Sequence, residues 1–110
     1  MKVAAIQMTS GPDVSANLLQ ARTLLAQARE RGAVLAALPE NFAFMGLKDA
    51  DKRAVGEADG SGPIQDFLGA TARDLALWII GGTMPIRVEG DGRVAAASLV
   101  FNDSGERVAR

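Results

Sequence analysis

The chain has 110 residues, enough for one domain with a hydrophobic core, and its 48% apolar and 23% charged residues are typical of a folded globular protein. A net charge of −1 without a dense Lys or Arg cluster argues against nucleic acid as a partner, and apolar runs such as residues 75–80 are far shorter than the ~20 residues that cross a bilayer. The sequence has no Cys and no His, which excludes disulfides, the usual zinc sites and Ser-His or Cys-His nucleophilic pairs within these residues.

The first predicted element is a strand over residues 2–8. This run is mostly apolar and contains the β-branched Val3 and Ile6, which predicts a strand buried on both faces of a sheet. The same segment has one positive charge and reaches Gln7 too soon for the apolar core of a signal peptide. We therefore expect a cytoplasmic location and no association with a membrane.

A helix is predicted to follow the polar stretch at residues 9–13, with Asp13 or Ser15 as its N-cap. Gly32 comes directly after basic residues that suit a helix carboxyl end, so we expect the helix to end there in a left-handed cap. The apolar positions recur at helical spacing and form one packing stripe: Leu18, Ala21, Leu25 and Ala28.

A second strand is predicted over residues 34–38, a short apolar run that leads directly to Glu40. Pro39 ends this strand because proline cannot donate a hydrogen bond to a sheet. Residues 41–62 have no sustained period and include a charged patch at residues 48–57. This pattern predicts a loop with one short helix.

The second main helix is predicted to begin at the Gly62-Pro63 step. Proline's fixed backbone angle suits the first turn of a helix, so this step is a typical start. One face of the helix is traced by apolar and small residues: Ile64, Phe67, Leu68, Thr71 and Leu75.

Two more strands complete the predicted order. Residues 77–82 and 93–102 are the third and fourth strands, and turns are predicted at residues 89–92 and 103–105. Strand, helix and strand at this spacing favour a right-handed crossover and a largely parallel sheet, to which an antiparallel hairpin is added. The predicted class is α/β, with a mixed sheet and two main helices.

Glu40 is the best candidate for acid-base chemistry. In open α/β sheets, functional groups gather at the carboxyl ends of strands, and Glu40 follows such an end. We expect its carboxylate to be partly desolvated, which would raise the pKa toward the range useful to a general base. A glutamate that merely caps or solvates the loop is the more common situation, and the local pattern does not decide between the two.

Other residues after the second strand have two interpretations. Phe42, Phe44 and Met45 either line a substrate pocket or belong to the core, and the core is the more common place for an apolar cluster. Lys48 and Lys52 lie in the charged patch and are interpreted as solvated surface charges without a catalytic role.

The third strand contains a tryptophan and a glycine pair. Trp78 has apolar neighbours and is predicted to be a core side chain. Gly81-Gly82 is followed by no lysine and no helix-opening glycine pattern, so it is not a phosphate loop. Close packing or a bend of the strand explains the pair better.

The Pro39-Glu40 step is the most specific part of a longer pattern that covers almost the whole chain. The pattern comprises residues 3–8, Asn17, residues 32–42, Gly62-Pro63, residues 72–74, residues 77–82 and residues 101–105. It resembles the opening of amidases of the nitrilase superfamily. The resemblance implies that residues 1–110 form the amino-terminal part of a single carbon-nitrogen hydrolase domain, within an α-β-β-α sandwich.

The resemblance also implies a mechanism. In that family a glutamate, a lysine and a cysteine act together on a carbon-nitrogen bond, and the glutamate matches Glu40. The family's lysine follows the strand that begins near Arg107, and its cysteine comes later, so neither is expected within these residues. One departure is Ala96, where many members carry an asparagine. No cofactor and no metal are implied.

Three functional hypotheses follow. The first is hydrolysis of a small carboxamide to an acid and ammonia, and residues 38–46 look most like amidases acting on deaminated glutathione and related ω-amides. The implied partners are a small-molecule amide substrate and, in the full-length form, other copies of the same chain. The second is an inactive fragment or structural half-domain that associates or is unstable in solution, because no nucleophile is present. The third is a small α/β ligand-binding module without chemistry.

Overall fold

The computed structural model describes residues 1–46, 48–90 and 92–110. Asp91, in the turn predicted at residues 89–92, lies outside the described residues. The strands are β1 (Val3–Ala5), β2 (Leu35–Ala37), β3 (Trp78–Ile80), β4 (Met84–Arg87), β5 (Val94–Ala97), β6 (Val100–Phe101) and β7 (Arg107–Ala109), and the helices are α1 (Val14–Glu30), α2 (Asp49–Val55) and α3 (Pro63–Leu75).

The strands form a mixed sheet and a separate hairpin. The five-stranded sheet has the order β1-β2-β3-β6-β7, in which β1, β2 and β3 are parallel and β6 and β7 are antiparallel to their neighbours. The hairpin consists of β4 and β5. The predicted α/β class with a mixed sheet and two main helices is confirmed, and α2 is the short helix expected within residues 41–62.

Two strand predictions were wrong. Residues 84–87 form β4, which was not predicted as a strand, and the single strand predicted over residues 93–102 is two strands. The chain changes sheets between them, because Val94–Ala97 pairs with β4 while Val100–Phe101 pairs with β3.

Helix α1 begins and ends as its sequence predicts. The Asp13 carboxylate accepts a hydrogen bond from the amide of Ala16 at 3.1 Å, which satisfies one of the free N–H groups of the first turn. Gly32 adopts a φ of 93°, the left-handed conformation that favours glycine after a helix end. The buried face consists of Asn17, Ala21, Leu25 and Ala28, with Leu18 half-buried beside it.

Helix α3 is capped by a carboxylate from outside the helix. Glu57 is only 6% exposed, and it accepts hydrogen bonds from the amides of Ile64 at 2.6 Å and Gln65 at 3.1 Å. The negative charge lies at the positive end of the helix dipole, where the amides have no partner within the helix. Gly62 precedes Pro63 and packs so closely on Glu57 that a Cβ there would lie 2.4 Å from its carboxylate.

The core lies between the helices and one face of the sheet. Ala36 and Ile79 are paired across β2 and β3, and both are fully buried against a cluster that includes Leu25 of α1 and Leu68 of α3. Burial of these apolar side chains is the main force that holds the layers together. No helix among the described residues is long and apolar enough to cross a bilayer.

The opposite face of the sheet is largely open. Val3 is 58% exposed and Trp78 is 39% exposed. Strand one is therefore not buried on both faces, and Trp78 is not a core side chain, contrary to both predictions. The reason is that α1 and α3 cover one face only, while β1 is an edge strand of the sheet.

Candidate active site

Glu40 lies just beyond the carboxyl end of β2, beside the carboxyl end of β3. The Leu38 amide donates to the Ile80 carbonyl at 2.9 Å, which continues the parallel pairing past the last residue of β2. Because the two strands run in the same direction, the residues that follow them meet at one edge of the sheet. The segments around Glu40 and Gly82 are therefore neighbours.

The two strand ends meet at a glycine. Gly82 has a φ of 52°, and a Cβ at this position would lie 2.0 Å from the Pro39 carbonyl oxygen and 2.7 Å from that of Leu38. Only a residue without a side chain permits this approach. The interpretation of Gly81-Gly82 as a close-packing pair is confirmed, and the contact fixes the backbone immediately before Glu40.

The residue after Glu40 is held in an unusual conformation. Asn41 has a φ of 56°, in the left-handed region that asparagine tolerates better than most residues. Its amide donates to the hydroxyl of Thr83 at 2.9 Å. Glu40 is therefore held on both sides by the end of β3, and Thr83 is a positioning residue that sequence reasoning missed. No local pattern marks this contact, which joins residues far apart in the chain.

The loop after Asn41 is anchored to the start of the chain. The Ser10 hydroxyl donates to the Phe42 carbonyl at 2.6 Å, and the buried Asn17 amide group donates to the Ala43 carbonyl at 2.9 Å. Phe42 is fully buried in the core, whereas Met45 is 46% exposed. The core interpretation thus holds for Phe42 and not for Met45.

The Glu40 side chain itself is exposed. The expected partial desolvation is absent from the described residues, so that part of the prediction was wrong for this chain. Glu40 is exposed because it lies at the tip of the sheet, where no element among the described residues covers it. The predicted catalytic role of Glu40 stays a prediction.

A cavity of about 290 Å³ opens beside Asn41. Glu40 does not line this cavity. Lys52 lines it and is half-buried, and Lys48 is exposed as predicted. The walls are formed by Asn41, Phe44, Lys52, Arg53, Met84, Pro85, Arg93, Val94, Ala95 and Ala96.

No group of three His, Cys, Asp or Glu side chains within residues 1–46, 48–90 and 92–110 is arranged to hold a metal ion. The functional groups described at this edge include the Glu40 carboxylate, the Thr83 hydroxyl and the cations of the cavity. Such a set can accept a proton and bind an anion. These residues include no thiol, so a nucleophile of that kind is not among them.

Similar proteins fall in one family. The family model for carbon-nitrogen hydrolases matches residues 2–110. A deaminated glutathione amidase of Synechocystis sp. is 34% identical over 108 residues, which cover 97% of this chain and 39% of that protein. The chain spans about two fifths of the length of the curated relatives it matches.

Solved structures share the fold. Saccharomyces cerevisiae Nit3, a member of the nitrilase superfamily, has a TM-score of 0.84 and 27% identity over 96% of this chain and 41% of its own. An amidase from Nesterenkonia sp. has a TM-score of 0.81 and 28% identity over 97% of this chain and 40% of its own. One solved form of that amidase is a glutamate-to-glutamine mutant with acrylamide added to its active-site cysteine. By sequence and by fold, the chain belongs to the carbon-nitrogen hydrolase family of the nitrilase superfamily.

Proposed function

We propose that these residues are the amino-terminal part of an amidase that hydrolyses a small carboxamide to an acid and ammonia, with Glu40 as the general base. The observation that carries this proposal is the position of Glu40. Its backbone is held at the tip of β2 by the Gly82 contact on one side and the Thr83 hydrogen bond on the other. A base held at a fixed place beside a strand end is what proton transfer requires.

In the proposed mechanism, a cysteine and a lysine from the rest of the protein act with Glu40. The thiol sulfur attacks the amide carbon while its proton passes to the Glu40 carboxylate, and the lysine ammonium stabilises the oxyanion. The carbon-nitrogen bond then breaks, and ammonia leaves with the proton that Glu40 held. Water attacks the thioester, its proton returns through Glu40 to the sulfur, and the acid is released.

We propose that a chain of these 110 residues alone is inactive. For the isolated chain this is the second hypothesis, that of an inactive fragment. It has no cysteine to form the thioester. The exposure of Glu40 supports the same view, because a base in bulk water lacks the dry surroundings that proton abstraction from a thiol favours. In the complete protein, further elements are proposed to cover this strand end.

The substrate class is proposed from the relatives. The Synechocystis sp. and Yersinia enterocolitica relatives, each 34% identical, are named deaminated glutathione amidases. Deaminated glutathione or a related ω-amide is therefore the proposed substrate. A homo-oligomer in the full-length form is the proposed assembly. The cytoplasmic location stays a prediction.

The test is Glu40→Gln in the complete protein. The substitution removes the proton acceptor and keeps the shape of the side chain, so we expect kcat to fall by about 10²- to 10⁴-fold while the thermal unfolding midpoint changes little. Ammonia release and circular dichroism measure the two quantities. Glu30→Gln, which changes an exposed glutamate at the end of α1, is the control and should retain full activity. Near-normal turnover by the Glu40→Gln protein would remove Glu40 from the mechanism.

A further inference from the structure

We propose that Glu57 is a positioning residue for the candidate active site, because it fixes the place of β4 and, through Thr83, the backbone beside Glu40. This inference rests on the proposed amidase function and adds a residue to it. Glu57 lies between α2 and α3 and takes no part in the proposed mechanism. Its side chain is bound to α3, and its backbone is bound to β4.

The Glu57 carboxylate is bound to the start of α3. It is 6% exposed and accepts hydrogen bonds from the amides of Ile64 at 2.6 Å and Gln65 at 3.1 Å, and a third at 3.1 Å from the side-chain amide of Gln65. Hydrogen bonds to an ionised acceptor are about twice as strong as those between neutral groups. Helix α3 is itself fixed by the core, since its Leu68 is fully buried. Residue 57 is therefore held at a defined place.

The loop over residues 57–62 is closed by the side chain of Gln65. The amide group of this side chain also donates to the carbonyls of Ala58 at 2.7 Å and Ser61 at 3.0 Å, and its oxygen accepts from the amide of Gly60 at 2.9 Å. Each turn of the loop is thus bonded to the helix that follows it.

The backbone of Glu57 is bound to β4. Its N–H group donates to the Pro85 carbonyl at 3.1 Å, and its carbonyl accepts from the Arg87 amide at 2.8 Å, which makes a parallel bridge opposite Ile86. Strands β4 and β5 form a sheet of their own, outside the five-stranded sheet. One residue therefore connects the hairpin to α3.

Strand β4 carries this connection to the candidate base. Thr83 directly precedes Met84, the buried first residue of β4. The Thr83 hydroxyl accepts the hydrogen bond from the amide of Asn41, the residue after Glu40. A displacement of β4 therefore moves the group that holds the backbone beside Glu40. A misplacement of about 1 Å that originates far from the reacting atoms can lower a rate about 10²-fold.

The surroundings of Glu57 require a carboxylate. A glutamine at this position has one acceptor oxygen, and its NH₂ group would face the N–H group of either Ile64 or Gln65. One buried N–H group would then lose its acceptor, which weakens the attachment to α3. Glu57→Gln thus loosens the connection without changing the size of the side chain.

Gly62→Ala disturbs the same connection from a second position. Gly62 has a φ of 142°, and a Cβ there would overlap the Glu57 carboxylate. Gly60→Ala is the matched control, because Gly60 lies in the same loop with a φ of 99° and a Cβ there would meet nothing within 4 Å. A second control, Arg29→Met, removes the hydrogen bond that Arg29 donates to the Leu75 carbonyl at the other end of α3.

The experiment measures kcat, KM and the exchange of the Asn41 amide hydrogen in the complete protein, at a temperature at which circular dichroism shows each variant to be folded. We expect Glu57→Gln and Gly62→Ala to lower kcat about tenfold to 10²-fold with KM changed less than about twofold, because the reacting groups lose their alignment while substrate binding is kept. The Asn41 amide should exchange about tenfold faster or more, since its hydrogen bond to Thr83 opens more often. Both controls should leave all three quantities unchanged. A residue that only stabilised the fold would change the unfolding midpoint and not the kcat of folded molecules.

The exchange measurement separates this inference from the proposed function, because it requires no turnover. Faster exchange at Asn41 in Glu57→Gln or Gly62→Ala, but not in the controls, supports the connection even if Glu40→Gln retains full activity, an outcome that would overturn the proposed function alone. Either variant that folds suffices for the test. Unchanged exchange at Asn41, or an unchanged kcat in a protein that requires Glu40, would overturn the positioning role of Glu57.

Discussion

At the scale of one residue, Gly82 allows the end of β2 to lie against the end of β3. The Pro39 carbonyl occupies the space that any side chain at position 82 would need. The φ of 52° adds a second reason for glycine, because other residues adopt the left-handed region at a cost. Position 82 thus joins two strand ends that the candidate base depends on.

Gly82→Ala tests this dependence. Overpacking and left-handed strain each cost about 1–3 kcal/mol, so we expect the free energy of unfolding to fall by roughly 3 kcal/mol or more. Gly90→Ala is the matched control: Gly90 also has a positive φ, 87°, but a Cβ there would meet nothing within 4 Å. It should cost only about 1–2 kcal/mol. Equal midpoints of urea unfolding for the two variants would contradict the crowding at Gly82.

The positions of single residues could be predicted from the sequence where the pattern that indicates them lies within a few neighbouring residues. The position of Glu40 after a strand follows from a short apolar run and one proline, and the structure places Glu40 there. The Thr83 contact with Asn41 could not be predicted, because it joins residues 42 positions apart and depends on the register of β2 and β3. The exposure of Glu40 was predicted wrongly, since burial depends on which elements lie above a residue.

At the scale of elements, both main helices were predictable because their start signals and apolar stripes lie within a few turns of sequence, although the Glu57 cap of α3 was not predicted. The hairpin was not. Pro85 in β4 pairs with Ala96 in β5, and a proline inside a run counts against a strand unless it lies in a two-stranded sheet or at an edge. The division of residues 93–102 into two strands could not be predicted either, because a run of apolar residues does not show where the chain leaves one sheet for another.

Strand β7 pairs with β6, and ion pairs from Arg107 and Arg110 also join this segment to Asp59. The Asp59 carboxylate accepts hydrogen bonds from the guanidinium groups of Arg107 and, at 2.9 Å, Arg110. The hydrogen bond from Arg107, with the charges of both arginines, lowers the pKa of Asp59 from its ordinary value of 3.8. All three residues of β7 are exposed, so the strand adds little to the core.

The lowered pKa gives a pH dependence with a defined sign. A carboxyl group whose pKa is lower in the folded state stabilises that state above the ordinary value of 3.8, and this contribution is lost as the pH falls through the lower, folded pKa. In carbon-detected NMR, the Asp59 carboxyl should therefore titrate below 3.8, and in Arg107→Gln it should shift back toward 3.8. The control is Arg31→Gln, because Arg31 lies outside this group of ion-paired residues. It should leave the titration of Asp59 unchanged. A titration midpoint at or above 3.8 in the unaltered protein would contradict the ion pairs.

At the scale of the whole molecule, the sheet has one covered face and one open face. This asymmetry explains why Trp78 and the first strand were predicted as core: their apolar patterns do not reveal whether the covering partner lies within the same chain. The open face carries large apolar side chains, including Val3 and Trp78. Exposed apolar surface of this kind is typical of an interaction surface.

The isolated 110-residue chain should therefore associate. We expect light scattering after gel filtration to give a mass above the monomer's 11.5 kDa, and Val3→Lys/Trp78→Lys to shift it toward the monomer. Leu19→Lys is the control: Leu19 is 70% exposed but lies on α1, so its replacement should leave the association unchanged. A monomeric 110-residue chain that melts cooperatively would contradict this prediction.

Asn17 connects the loop before α1 to the loop after Glu40. Its amide group donates to the carbonyls of Gly11 and Ala43, so the first helix and the loop after Glu40 share one buried side chain. Because one buried side chain bonds both segments, the docked first helix and the loop after Glu40 stabilise each other in the folded state. The geometry around the candidate base therefore depends on a side chain of α1.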